Sequence, residues 1–321
     1  MRIVALAGGV GAGKFLRGLQ RIAFDGGHDL TVIVNTADDL EMWGLHVSPD
    51  LDSVTYWLAG EMDRDRGWGR ADETFRVRDA LEAGNMLPTW FALGDRDLAT
   101  HLFRTELLRR GWTLTAATGS VALAFGIPWT ILPMSDDPVT TMVRIREPDH
   151  SEHDVHFQDY WVRRRAEPEV RAVRFEGAVR ARPAPGVLDA IGGADALLIC
   201  PSNPVVSIGP ILAVPGIRDA LWRRRDRAVG VSPIVGGAVL AGMADRLMPV
   251  AGLEVSALGA ASAYEGLIAG WVVDEADRDL APKIEERLGL RVAVTDTIMS
   301  SDEVAAAVAR TALDLLRRTS A

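Results

Sequence analysis

Short apolar runs alternate with helical patterns along most of the chain, and this alternation predicts an α/β fold. The first run, Arg2–Ala7, reads as a buried strand, and Phe15, Leu16, Leu19 and Ile22 follow it at helical spacing. Later runs of the same kind are Leu30–Val34, Trp129–Leu132, Ala196–Cys200, Ala228–Val231, Trp271–Val273 and Arg291–Val294. Strands that alternate with helices predict a Rossmann-like, doubly wound and mostly parallel sheet.

Two stretches interrupt the alternation and read as insertions into one domain spanning 1–321. Residues 59–125 combine many charges with helical patterns and predict a helical excursion from the sheet. Within about 139–182, Thr140–Ile145 and Asp154–Phe157 predict an antiparallel β-hairpin. The arginine-rich part that follows the hairpin reads either as a solvated surface or as a basic rim over an anionic ligand.

A glycine-rich segment follows the first strand directly. Gly8, Gly13 and Lys14 match the G-x-x-x-x-G-K pattern of a phosphate-binding loop. In such a loop the glycines bring the backbone close to the ligand, and the helix N-terminus offers free N–H groups. Phe15, however, stands where the loop needs Ser or Thr as a magnesium ligand. The segment therefore predicts phosphate binding but no standard nucleotide hydrolase. The alternative is a glycine turn that only packs a helix on a strand.

Small polar and acidic residues follow one predicted strand after another. They are Asn35, Asp38 and Asp39; Ser135, Asp136 and Asp137; Ser202 and Asn203; and Ser232. Parallel strands bring such residues to one edge of the sheet, where ligands bind. Carboxylates gathered there repel one another unless a cation joins them, and their hard oxygen atoms suit magnesium. Asp50 and Asp52 are further candidates, although one of them can instead cap the helix predicted at Val54.

Two other segments allow two interpretations each. Gly94–Asp97 predicts either a helix start capped by an aspartate or an anion site at Arg96, and His101 is either a general base or a core histidine. The prolines on both sides of Ser202 and Asn203 make a rigid loop, which either presents groups to a ligand or is a plain turn.

Composition narrows the class of protein. The net charge of -9 over 321 residues argues against a nucleic-acid binder. The single cysteine, Cys200, excludes an internal disulfide and reads as a buried thiol. No signal peptide and no apolar run of about 18 residues is present, so we expect a cytoplasmic protein outside the membrane.

Taken together and in this order, the segments resemble the 2-phospho-L-lactate transferase family. The resemblance is carried by Gly8–Gly11 with Lys14–Leu19, Val34–Asp39, Ser48–Asp52, Asp63–Gly69, Leu93–His101, Leu132–Pro138, His156–Trp161, Pro201–Pro210 and Val231–Val235. The chain departs from the family at Val10 and Ala12, where members often carry Thr and Pro.

The resemblance implies a magnesium-dependent transferase of coenzyme F(420) synthesis. Such enzymes move a phospho-enolpyruvyl or phospho-lactyl group from a guanylyl diphosphate donor to the ribityl hydroxyl of Fo (7,8-didemethyl-8-hydroxy-5-deazariboflavin), and they release GMP. Members are commonly homodimers. Two alternatives remain: a P-loop-like kinase or NTPase, and a non-catalytic nucleotide-sugar-binding regulator of the same fold.

The resemblance and the strand-end positions together assign roles to individual residues. The residues assigned to binding of the donor are Gly8, Gly9, Gly11, Lys14, Asn35, Ser202, Asn203 and Ser232. The residues assigned as magnesium ligands are Asp38, Asp39 and Asp50. The candidate catalytic residues are Asp50 and Asp52. The residues assigned to binding of Fo are Asp52, Asp95 and Arg96. The resemblance supports Asp52 most directly. We therefore expect Asp52→Ala to remove transfer while leaving the fold intact.

Overall fold

The computed structural model describes residues 1–240 and 242–317. Its strands are β1 (Arg2–Ala7), β2 (Asp29–Val34), β3 (Leu40–Met42), β4 (Leu45–Val47), β5 (Thr130–Pro133), β6 (Thr140–Arg146), β7 (Glu152–His156), β8 (Glu169–Glu176), β9 (Ala196–Ile199), β10 (Ala228–Val231), β11 (Ile234–Val235), β12 (Ala238–Val239), β13 (Gly270–Asp274) and β14 (Arg291–Thr295). Its α-helices are α1 (Gly9–Asp25), α2 (Pro49–Ala59), α3 (Arg76–Ala83), α4 (Asp95–Arg109), α5 (Leu114–Ala124), α6 (Val187–Gly193), α7 (Gly209–Ala213), α8 (Ile217–Arg223), α9 (Ala244–Leu247), α10 (Ala257–Ser262), α11 (Ala281–Leu288) and α12 (Asp302–Arg317).

The central sheet confirms the predicted α/β fold. Within the described residues it has seven strands in the order β14-β13-β10-β9-β1-β2-β5, and every neighbouring pair runs parallel. The chain fills the sheet outward from β1 in one direction and then returns to its other side at β9. This reversal is the switch point of a doubly wound sheet, where a crevice opens at the carboxyl ends of the strands.

The predicted β-hairpin is present, and it belongs to a larger sheet than expected. β6 and β7 pair antiparallel, and β8 adds on the other side of β6. On the outer surface Arg144 and Arg174 both pair with Asp154, at 3.1 and 2.8 Å. Within the arginine-rich part, Arg164 likewise pairs with Asp159 at 2.8 Å, and such pairing with carboxylates favours the solvated-surface interpretation over a basic rim.

Each face of the central sheet carries its own apolar core. Alternate residues of β1 face opposite sides, so Ile3 and Ala5 join one cluster while Val4 and Leu6 join the other. The first cluster contains buried residues of α1, α2 and α12, and the second contains those of α6, α8 and the β6–β8 sheet. Cys200 is buried in the first cluster, as predicted.

No single helix in the described ranges is long and apolar enough to cross a membrane. The segments Pro204–Ala213 and Ile217–Arg223 pass the length and composition test only as a pair, and they are bent by 93°.

Close packing between α1 and α12 depends on Gly18. A Cβ atom there would overlap the backbone of Ala305 and Ala306, and backbone yields less easily than a side-chain end. We expect Gly18→Ala to lower the free energy of unfolding by about 1–3 kcal/mol, as overpacking does. Gly119→Ala is the matched control, because Gly119 lies inside α5 with open space around its Cβ position. Urea denaturation of both variants tests this, and equal stabilities would contradict it.

Candidate active site

Three chain segments meet at the switch point. The Gly8 N–H donates to Ser202 Oγ at 3.3 Å, which joins the end of β1 to the loop after β9. The Gly9 N–H donates to Asp50 Oδ1 at 2.8 Å, which joins the start of α1 to the start of α2. Gly9 has φ +73, a conformation that favours glycine. The carboxyl edge of the sheet, the N-terminus of α1 and a buried carboxylate therefore share one crevice.

The glycine pattern does not form an extended phosphate loop. α1 begins already at Gly9, so Gly11, Gly13 and Lys14 lie in its first two turns. A Cβ atom at Gly11 would overlap the Pro201 carbonyl oxygen, and one at Gly13 would overlap the Trp57 ring. Packing therefore explains why Gly11 and Gly13 are glycines, while contacts of Gly8, Gly9, Gly11 and Lys14 with the donor stay predictions. The N-terminus of α1 is the part of this segment that can bind an anion. The Lys14 side chain is exposed and lies one turn further along the helix.

Asp50 and Asp38 form a buried carboxylate pair. Asn35 Nδ2 donates to Asp50 Oδ2 at 2.9 Å, and Asn35 Oδ1 accepts from the Ala37 N–H at 3.0 Å. The Asn35 side chain is therefore fixed in place and supports the Asp50 carboxylate. Burial raises the pKa of Asp50 to about 6. Burial, and then the charge of Asp50, raise the pKa of Asp38 well above its usual range. Asp38 Oδ1 has no hydrogen-bond partner among the described residues. The pair is short of positive charge and suited to bind a cation or a proton.

Asp39 has separate partners. Its Oδ2 accepts from Ser48 Oγ at 2.6 Å and lies 3.0 Å from His46 Nε2, while its main-chain oxygen lies 3.1 Å from His156 Nε2. Burial raises the pKa of Asp39, and the hydrogen bond with His46 partly offsets this. Across residues 1–240 and 242–317, no group of three or more His, Cys, Asp or Glu side chains is arranged to hold a metal ion. The metal role of Asp38, Asp39 and Asp50 stays a prediction, and Asp39 Oδ1, like Asp38 Oδ1, has no hydrogen-bond partner among the described residues.

Asp52 faces away from that pair and towards α4. Arg104 donates to both of its oxygens, from Nη1 at 3.1 Å and from Nη2, and Asp52 and Arg104 are both buried. Both oxygens of this carboxylate are therefore already engaged by a guanidinium, in the paired geometry typical of arginine and a carboxylate. The role of Asp52 as a candidate catalytic residue stays a prediction. Its contact with Fo stays a prediction.

Asp95 and Arg96 have structural partners instead of an open ligand site. The Asp95 carboxylate accepts from the Arg76 and Val77 N–H groups, both at 3.0 Å, and so caps α3. The Glu73 carboxylate in turn accepts from the Arg96 N–H at 2.6 Å and caps α4. The Arg96 guanidinium donates to Glu61 at 3.0 Å and to a main-chain carbonyl. The predicted helix start at Gly94–Asp97 is present, but Glu73 caps it, while Asp95 caps α3 and the Arg96 guanidinium holds Glu61.

The polar residues after β9 and β10 shape their own loops. Asn203 Oδ1 accepts from the Val205 and Val206 N–H groups and starts a π-helical turn at Pro204–Ile208. Ser232 Oγ donates to the Ile234 carbonyl at 2.9 Å. Of the predicted donor-side hydroxyls, only Ser202 contacts the α1 segment. Contacts of Asn203 and Ser232 with a donor stay predictions.

Two residues of the site escaped the sequence analysis, namely Arg104 and His46. Asp97, His101 and Arg104 are spaced i, i+4 and i+7 on α4, and all three are buried. That spacing puts polar residues on one face of the helix. A polar face on a helix that is expected to pack inward is the feature of the sequence from which Arg104 could have been predicted. His46 lies in the short β3–β4 hairpin, which has too few residues to show a pattern.

The chain is similar to known proteins over nearly its whole length. The chain matches the family model "2-phospho-L-lactate transferase CofD" over residues 3–311. It is 48% identical over 316 residues to a phosphoenolpyruvate transferase of Streptomyces griseus, with 98% of each chain covered. It is 43% identical over 328 residues to the protein of that name from Mycolicibacterium smegmatis, with the same coverage.

A solved structure shows the same fold. A UPF0052-family protein from Bacillus halodurans has a TM-score of 0.62 at 16% identity, covering 95% of this chain and 97% of that one. At that identity the likeness supports the fold alone. The family model and the close relatives, by contrast, cover nearly the whole sequence, and the chain therefore belongs to the 2-phospho-L-lactate transferase family.

Proposed function

We propose that this transferase uses the enolpyruvyl donor. In this reaction the ribityl hydroxyl of Fo attacks the phosphorus that bears the enolpyruvyl group of a guanylyl diphosphate. A new P–O bond forms to Fo, the P–O bond to the guanylyl phosphate breaks, and GMP leaves. Family membership supports the reaction class. The choice of enolpyruvate over lactate is supported by relatives at 43–48% identity that are named phosphoenolpyruvate transferases.

The observation that carries the proposal is the Asp38–Asp50 pair beside the N-terminus of α1. Phosphoryl transfer needs positioning and charge neutralisation more than covalent catalysis. The Gly9 N–H donates to Asp50, and the N–H groups that follow it in the first turn of α1 can hold the anionic diphosphate. The carboxylate pair can take the proton of the ribityl hydroxyl, since burial raises the pKa of Asp50 to about 6 and so makes it a better proton acceptor than an ordinary aspartate.

Magnesium fits the same pair. Mg²⁺ is usually held by one or two carboxylates together with substrate phosphates and waters. Asp50 and the unpartnered Asp38 Oδ1 offer that minimal set next to the expected diphosphate. When bound, the ion would neutralise charge on the phosphates. The requirement for magnesium, the homodimer and the cytoplasmic location rest on the sequence alone and remain proposals.

A donor comparison tests the function. Purified enzyme receives Fo, Mg²⁺ and the enolpyruvyl, lactyl or glyceryl guanylyl diphosphate, and mass spectrometry weighs the product. We expect the dehydro form of F(420)-0 as the main product, and none after chelation of Mg²⁺. Preference for the lactyl donor would contradict the donor assignment. No transfer with any donor, together with tight binding of a UDP-sugar, would favour the regulator instead.

A further inference from the structure

A buried chain of polar side chains connects α2 to α4. Tyr56 Oη donates to Asp97 Oδ1, and His101 Nε2 lies 3.3 Å from that same oxygen. His101 Nδ1 lies 3.5 Å from Asp52 Oδ2, and Arg104 donates to both oxygens of Asp52. All five residues are more than nine-tenths buried. Such a network costs desolvation energy, and hydrophobic residues of similar volume would often be no less stable.

The network fixes the two helices against each other. On α4, Asp97, His101 and Arg104 share one face, and on α2 Asp52 and Tyr56 share another, four residues apart. Burial alone would raise the pKa of Asp97, but His101 and Tyr56 together lower it. Burial likewise disfavours the charge of Arg104, yet Asp52 raises its pKa. The charges therefore stabilise one another in a single arrangement.

The same helix turn carries the reacting site. Asp50 and Asp52 both lie in the first turn of α2, and the Asp52 N–H donates to the Ser48 carbonyl at 2.9 Å. Residues two apart on a helix point in nearly opposite directions, so Asp50 contacts Gly9 and Asn35 while Asp52 contacts Arg104. Arg104 therefore holds the same helix turn that carries Asp50. The Arg104 cation also lies close enough to lower the pKa of Asp39.

We propose that Arg104 is a positioning residue for the transfer, and that it holds the first turn of α2, through Asp52, where Asp50 meets the donor and the α1 N-terminus. The inference rests on the proposed function. Arg104 touches no reacting atom, since its guanidinium is buried against Asp52.

Three variants and a control test it. Arg104→Met removes the hydrogen bonds to both oxygens of Asp52. Arg104→Lys keeps a positive charge but cannot donate to both oxygens in the geometry of a guanidinium. Asp52→Asn/Arg104→Met makes the network locally neutral. Arg110→Met, an exposed arginine that pairs with Glu106 on the same helix, is the matched control. For each folded protein we measure the melting temperature, kcat with the enolpyruvyl donor, and Fo affinity by fluorescence titration.

We expect Arg104→Met to lose about 10–100-fold in kcat, the range typical of residues that orient a site. Fo affinity should change less than about twofold, and Arg104→Lys should recover part of the kcat. The double variant should regain the melting temperature but not the kcat. Recovery of both in the double variant, wild-type kcat in Arg104→Met, or a parallel loss of Fo affinity would overturn the proposal. An inactive wild-type enzyme would instead refute the proposed function, and Arg110→Met should match wild type throughout.

Discussion

Asp50→Asn should abolish transfer and at the same time stabilise the ligand-free protein. Asparagine keeps an oxygen for the Gly9 N–H, but it removes the charge that faces Asp38 and the proton acceptor of the pair. Loss of a positioned general base costs about 10²–10⁴-fold in rate. Steady-state kcat with Fo and the enolpyruvyl donor measures this loss. Activity near that of wild type would remove Asp50 from the mechanism.

The stability gain has a defined pH window. The pKa of Asp50 is about 6 in the folded protein against an ordinary value of 3.8, so the folded state binds the proton more tightly. The free energy of unfolding of ligand-free wild type should therefore fall as the pH rises from about 4 to about 6, by at most about 3 kcal/mol at 1.36 kcal/mol per pKa unit. Asp50→Asn lacks this penalty and should be the more stable protein at pH 7.

Chemical denaturation between pH 4 and pH 8 measures that window. Asp65→Asn serves as the control, because it makes the same chemical change at an exposed aspartate outside the site. If Asp50→Asn is less stable than wild type at pH 7, the hydrogen bonds of the carboxylate outweigh its desolvation, and the stability part of the prediction fails.

The sequence predicts the central sheet well for a physical reason. Strands covered on both faces must be continuously apolar, so runs such as Ala228–Val231 stand out and match β10 residue for residue. β8 did not stand out, because one of its faces is solvated. Its charged residues alternate with Val170, Val173 and Phe175, which pack on the core, and a run of arginines hid that alternation.

The candidate site was only partly predictable, because contacts across the fold decide which groups are free. Strand-end position correctly gathers Asn35, Asp38 and the loop at Ser202 near one another. It cannot show that Asp52 turns away from Asp50, since the direction depends on where α2 begins. Nor can spacing show that the Pro201 carbonyl leaves no room for a side chain at Gly11, because Pro201 is far away in the sequence.

Asp52→Ala should destabilise the fold, contrary to the expectation from the sequence. The change leaves the buried guanidinium of Arg104 without its carboxylate and removes the carboxylate that lies 3.5 Å from His101 Nδ1. Removing one member of a buried ion pair costs about 3–5 kcal/mol, a large part of the stability of a typical domain. Any loss of transfer in this variant would therefore combine unfolding with a displaced α2.

Two comparisons separate these effects. Glu106→Ala breaks an exposed ion pair on the same helix and should cost about 0.5 kcal/mol or less. Adding Arg104→Met to Asp52→Ala removes the orphaned charge and should recover most of the unfolding free energy, because a neutral buried site no longer holds an unpaired ion. Urea denaturation of the four proteins, wild type included, decides the point. If Asp52→Ala is as stable as Glu106→Ala, water must reach Arg104, and the buried pair is not what ties α4 to α2.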